Sequence, residues 1–281
     1  MKTIFYLFAL TLFIYSCNNE QTSNETSEIS ETEEEVVPEE TEEENLLAAN
    51  TMNPRTYGGE KSEAQLFIDE HYAAADQTNE KLIGSYVGDF GPNMINITIY
   101  EAKNGKAEGF SVCAGNFRKI DGTFNLKQRE VYDFVMNEPG DDQYDGKFEF
   151  TLNASEGVVE GKWTPFKEKG NSSRKYKLNK RAFAYDPTIG KYPQASQREL
   201  TDEDLSNMME EELSEMRNEI YARHGYSFKN KDWRYHFEKK EWYMPMGVDI
   251  RDKLTDVEAI NIELIYEYES YFQDYYDDYG R

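Results

Sequence analysis

Between Ser85 and Leu178 apolar residues fall on every second position, in one short run after another. Ile95, Ile97 and Ile99 share one face while Asn96, Thr98 and Tyr100 take the other. Tyr132, Phe134 and Met136 repeat the pattern, as do Phe148, Phe150 and Leu152. A period of two puts successive side chains on opposite faces, so each run predicts a half-buried strand. Asn104-Gly105 separates two runs, and its residues tolerate the positive φ of a two-residue hairpin turn. Asp121-Gly122, Asp145-Gly146 and Glu156-Gly157 are read as further turns or bulges. About eight strands joined as hairpins predict an up-and-down antiparallel β-barrel or a strongly curved meander, because closure removes exposed strand edges. A short helix leads into it: Ser62 with Gln65 suggests a cap, and Ala64, Phe67, Ile68, Tyr72 and Ala75 form an amphipathic face.

After Arg198 the period becomes helical. Thr201 with Asp204 imitates a capping box, and Leu205, Met209, Leu213, Met216 and Ile220 recur as one buried stripe. Gly225 stands where a left-handed residue would end that helix, with Arg223 and His224 in its last turn, facing the negative end of the dipole. Lys231 to Lys240 predicts a short second helix carrying Trp233 and Phe237, and Pro245 blocks any continuation through Trp242, Tyr243, Met244 and Met246. Thr255 with Glu258 caps a final helix, whose expected stripe is Val257, Ile260, Leu264, Tyr268 and Tyr271. The fold class is therefore α+β with two domains, a barrel with a leading helix (59–181) and a small all-α module (198–273). The segment 182–197, with Pro187, Gly190 and Pro193, has no period and reads as a linker. An acidic, tyrosine-rich tail (274–281) follows.

The stretch Arg217-Asn218-Glu219-Ile220-Tyr221-Ala222-Arg223-His224-Gly225-Tyr226-Ser227-Phe228 resembles the YARHG domain, a module of bacterial proteins outside the cytoplasm. Leu200-Thr201 before it, and Phe228, Trp233, Phe237, Trp242, Pro245 and Leu254-Thr255 after it, extend the resemblance over residues 195–273. What it implies is location and build, since the family carries no established biochemical activity. Tyr221, Ala222, Arg223, His224 and Gly225 form the family motif. The candidate binding residues are Arg217, Glu219, Arg223, His224, Trp233 and Trp242. The N-terminal region is broadly similar to lipocalin-type and other calycin barrels, an architectural analogy.

Met1-Lys2, an apolar run from Ile4 to Tyr15, and Ser16 before Cys17 describe a secretory signal peptide (1–16), too short for a comfortable membrane span. Ile14-Tyr15-Ser16-Cys17 resembles a lipobox, in which Cys17 becomes lipid-modified, although Tyr15 is bulkier than the residue usual there. Residues 17–58 form an acidic linker. Between 18 and 50 it has no aromatic or basic residue and holds about half of the net charge of −24. Such a segment cannot bury enough apolar surface to order itself and reads as a self-repelling, disordered spacer. Acidic balance also argues against nucleic acid as a partner. The expectation is a chain anchored to the membrane through lipid on Cys17, at the outer membrane of a bacterial envelope, with an envelope component or protein as partner.

Catalytic signatures are lacking: the sequence has no nucleophile elbow, phosphate loop or zinc-binding H-E-x-x-H, so no catalytic residue, metal or cofactor is assigned. Cys113 reads as a small buried hydrophobe in a strand. Asp141-Asp142-Gln143-Tyr144-Asp145-Gly146 imitates the start of a calcium loop, but its twelfth position is Leu152 instead of a bidentate glutamate, so a turn is expected. His224 and His236 could converge with Glu219 or Glu238 as an acid–base or metal pair, against a structural role for His224 at a helix end. The leading functional expectation is a non-enzymatic envelope binding or scaffolding protein. Alternatives are a lipocalin-like carrier of a small apolar ligand and an envelope hydrolase using His224.

Overall fold

A computed structural model describes residues 61–76, 80–140, 144–167 and 172–275. Cys17, the expected signal peptide and spacer, and the tail after residue 275 lie outside the described residues. The described residues all belong to one compact unit.

Eight antiparallel strands close into a barrel in sequence order: β1 (Gly84–Phe90), β2 (Asn93–Lys103), β3 (Lys106–Cys113), β4 (Asn116–Gln128), β5 (Val131–Asn137), β6 (Gly146–Asn153), β7 (Val158–Pro165) and β8 (Arg174–Arg181). Closure runs through Ser85↔Arg181, Tyr86↔Lys180 and Val87↔Asn179. The expected turn at Asn104-Gly105 has φ of 54° and 75°. A second two-residue turn of the same hand, Ala114-Gly115 (φ 50° and 73°), joins β3 to β4 and carries no Asn-Gly or Asp-Gly signal.

Alternation decides the interior. Tyr86, Phe90, Ile95, Ile97, Ile99, Ile120, Phe134, Met136, Phe148, Phe150, Leu152, Trp163, Tyr176 and Leu178 form one buried cluster. Phe134 stacks on Phe150 at 4.9 Å, and Phe124 stacks on Phe134 at 5.2 Å. The space is filled by side chains, as small barrels are. Gly122 is not a turn residue. It sits within β4 opposite Met136, where an added Cβ would lie 2.8 Å from the Met136 Cα, so glycine allows the strands to approach closely there. Asp145-Gly146 leads directly into β6, and Leu152 is fully buried there, consistent with a strand entry.

On the outer face of β1–β3, Val87, Asn96, Thr98, Phe110 and Val112 are buried under other elements. Helix α1 (Glu63–Asp76) covers Phe110 and Val112 with Ile68 and Phe67, and Ser62 Oγ accepts from the Gln65 amide at its start, as expected. The strap around Pro245 covers Val87 with Met244 and Met246. Asn96 Nδ2 donates to the Pro245 carbonyl (3.0 Å) and approaches Met246 Sδ (3.1 Å).

The C-terminal region contains α2 (Gln194–Gln197), α3 (Asp202–Leu205), α4 (Glu210–Arg223), α5 (Lys231–Phe237) and α6 (Asp256–Tyr275). The capping boxes at Thr201/Asp204 and Thr255/Glu258 are present. Four expectations need correction. The helix expected from Thr201 through Ile220 is interrupted: Met209 becomes the N-cap of α4, 64% exposed, because the Glu212 side chain accepts from the Met209 amide and starts a new helix there. The segment read as a structureless linker contains α2 and buries Tyr192 and Ala195 in the helical core. The second helix stops at Phe237 instead of reaching Lys240.

The last correction concerns α6. Its buried face is Glu258, Asn261, Ile262, Ile265 and Glu269, and the expected stripe of Val257, Ile260, Leu264, Tyr268 and Tyr271 is half-buried or exposed. Polar residues won the inner face because they bond the segment below. Asn261, for example, accepts from the Leu200 amide and donates to the carbonyls of Ala195 and Arg198.

Candidate functional site

The motif stands at the C-terminal end of α4. Gly225 has φ +74°. Its amide donates to the Ala222 carbonyl (2.9 Å), and the Tyr226 amide donates to the Tyr221 carbonyl (3.1 Å). This pair of bonds is the Schellman termination that a left-handed glycine permits. Gly225 also lies against the strap: its carbonyl accepts from Met246 N (2.7 Å) and Gly247 N (3.0 Å), and a Cβ there would come within 2.8 Å of Met246 Cβ. Tyr221 and Ala222 are buried in the helical core.

Arg223, His224 and Glu219 point into a buried polar network. Their relative exposures are 1%, 4% and 1%, and that of Glu258 is 0%. Arg223 donates to Glu219 (2.5 Å), to the Ile189 carbonyl (2.8 Å) and to Ser196 Oγ (2.9 Å). Glu219 also accepts from the amides of Lys191 (2.8 Å) and Tyr192 (2.7 Å). His224 Nε2 lies 2.7 Å from Glu258 Oε2, and Tyr185 stacks on the imidazole at 4.4 Å. Glu258 accepts in addition from Ser196 Oγ (2.6 Å), Tyr185 Oη (3.0 Å) and Thr255 N (3.0 Å). Burial pushes the Glu258 carboxyl upward, but hydrogen bonds from His224, Ser196 and Thr255 bring it below its ordinary range. Burial likewise lowers the Arg223 guanidinium, against the pull of Glu219 and Glu258.

The alternative in which His224 and His236 converge with Glu219 or Glu238 does not occur, and His224 has the structural place at the helix end. His224 takes Glu258, while His236 faces Glu215 at 3.2 Å. Glu219 is occupied by Arg223 and the two backbone amides of Lys191 and Tyr192. Arg217 forks onto Glu269 (Nε–Oε2 3.0 Å, Nη2–Oε1 3.0 Å) and lies over the Tyr266 ring at 4.4 Å. Trp233 and Trp242 are half-buried, each about 6.2 Å from Phe237, as flanks of an aromatic cluster. The candidate residues thus divide into three packed groups, and Arg217, Glu219, Arg223 and His224 each have an internal partner.

Sequence reasoning missed Tyr185, Ser196 and the inward role of Glu258. Glu258 carried a cap signal, but nothing local marks a cap residue as the centre of a network. Elsewhere, burial raises the Glu138 carboxyl to about 7, although Trp163 Nε1 (3.0 Å) and the Gly146 amide (2.7 Å) donate to it. Cys113 is half-buried and its thiol is pushed up to about 12 by burial, which suits an inert residue. A depression of about 170 Å³ opens beside Tyr72, Asp76, Ser85, Lys180 and Arg181, and no motif residue lines it. No cluster of metal-ligating side chains is found among the described residues.

No curated protein and no solved structure matches the chain significantly. The helical region does have a family: residues 191–270, from the segment pinned by Glu219 to the last turns of α6, are a YARHG domain, a domain of unknown function in extracytoplasmic proteins.

Proposed function

We propose that the protein is a non-enzymatic binding or scaffolding protein of the bacterial envelope, anchored by lipid on Cys17 at the outer membrane and held off it by the acidic residues 17–58. The observation carrying this reading is the consumption of the motif by internal bonds. Arg223, His224 and Glu219 are buried and saturated with partners from the same chain, which is the state of an architectural clasp. A hydrolytic His224 would need access to substrate, and Tyr185 and Glu258 already cover the ring. A carrier of small apolar ligands would need interior volume that Phe134, Phe148, Phe150 and Trp163 occupy. Binding through outer surfaces is the role left to such a body.

The test has two parts. Cys17→Ala should abolish acyl-lipid labelling and membrane partition; labelling that persists in this variant would refute the anchor. Cross-linking in intact cells should then trap the wild-type chain in a discrete protein complex. Turnover of an envelope substrate by the purified chain, lost in His224→Gln, would overturn the non-enzymatic reading.

A further inference from the structure

The inner face of α6 mixes Ile262 and Ile265 with bonded polar residues, and its apolar stripe lies outside that face. The stripe runs Val257, Ile260, Leu264, Tyr268 and Tyr271, at steps of three and four residues. Leu264 and Tyr268 rest partly on the helical core, whereas Ile260 is 50% and Tyr271 53% exposed. Asp256, Glu263 and Glu267 flank this stripe on the same helix, which contains no lysine or arginine. On the other side lies the first turn of α3, with exposed Asp202 and Glu203, brought beside α6 by the bond from the Leu200 amide to Asn261; its Asp204 is paired with Arg198 (2.6 Å). The result is an apolar ridge between two acidic margins.

Charge selects among occupants. Residues 18–50 of this chain carry glutamates and no basic residue, so they would be repelled by both margins. A second copy laying its own α6 on this face would set acid against acid. We propose that this face of α6 is a docking surface for a cationic amphipathic helix of a partner protein, its apolar side on Ile260, Leu264 and Tyr271 and its lysines or arginines on the acidic margins. The assignment names the partner class for the scaffolding reading and rests on it.

The probe is a synthetic amphipathic helix of leucine and lysine, about 18 residues long, titrated against the full chain by fluorescence anisotropy. A scrambled peptide of the same composition is the control. Binding should be saturable, weaken with salt, and exceed that of the scrambled peptide. Ile260→Ser, at an exposed position, should weaken it roughly tenfold with the melting temperature unchanged, and Glu267→Lys should weaken it by a similar factor. Equal binding of the scrambled peptide, or indifference to both substitutions, would overturn the proposal. So would self-association in sedimentation that Ile260→Ser abolishes, since the occupant would then be a second copy. The two readings fail separately. A complex trapped in cells whose cross-links avoid α6 and survive Ile260→Ser removes the docking assignment and leaves scaffolding intact. Turnover lost in His224→Gln removes scaffolding itself.

Discussion

The barrel and the YARHG domain hold themselves together in different ways. The barrel interior is a stack of rings and branched aliphatics whose attraction is non-directional and spread over many contacts. The YARHG domain has an apolar cluster too, but beside it runs a buried network of Arg223, Glu219, His224, Glu258, Ser196 and Tyr185. Such a network contributes little while complete and becomes costly when one member is removed, because its partner is left charged and dry. One region should therefore degrade gradually under substitution and the other abruptly.

The largest expected effect is Glu219→Ala, which strands Arg223 and the amides of Lys191 and Tyr192. It should lower stability by about 3–5 kcal/mol in denaturant unfolding, with the loss confined to the helical signal. A loss below about 1 kcal/mol would mean that water replaces the carboxylate, and the contrast between the regions would collapse.

Acidity should separate Glu138 of the barrel from Glu258 of the YARHG domain by sign. Glu138, in the barrel, has a folded pKa of about 7 against an ordinary 4.5. The folded state holds its proton more tightly, so its contribution is complete below about pH 4.5 and is lost as pH rises through 7, by a few kcal/mol at roughly 1.4 per pH unit. Glu258 is shifted the other way. Its contribution is present above about 4.5 and disappears as pH falls through its lowered folded value. Melting temperatures across pH 3–8 should fall at both ends, and Glu138→Gln should flatten the alkaline limb alone. An unchanged alkaline limb in that variant would assign it elsewhere, Glu238 being the next carboxyl raised to about 7.

Gly225→Ala tests backbone against side chain. The new Cβ meets both a left-handed φ and the strap at Met246, for a loss of about 2 kcal/mol. His224→Gln should cost least, about 1 kcal/mol, because glutamine keeps a donor near Glu258. The reverse ranking in melting experiments would place the centre of the motif on the imidazole instead of the turn.

Much of this build is legible in local sequence. Alternation between Ser85 and Leu178 specifies strands, and Thr201, Gly225 and Thr255 mark helix ends, because periods and caps act over a few residues. The network was not legible, since its bonds join residues 34, 62 and 73 apart. Tyr185 and Ser196 lay in a stretch without a period. The face of α6 was misassigned for a related reason: hydrophobicity picked Ile260 and Tyr271, whereas the inner face was decided by what Asn261, Glu258 and Glu269 could bond. Met209 failed likewise, as a capping bond outweighed an apolar side chain at helical spacing.

Glu258 also imposes a sequence of events. It is contributed by the last helix, and it receives bonds from Tyr185, Ser196 and His224, all made earlier in synthesis. Until α6 arrives, the YARHG domain has a histidine and two hydroxyl groups without their acceptor, and no closed core to shelter them. The strand pairing of the barrel has no such dependence, because each strand pairs with the one just before it and β8 closes on β1 before the first YARHG helix begins. The chain should thus fold from its N-terminal side, and a truncation ahead of Glu258 should yield a closed barrel, its Val87 and Asn96 uncovered, trailing an unformed, protease-sensitive C-terminal segment.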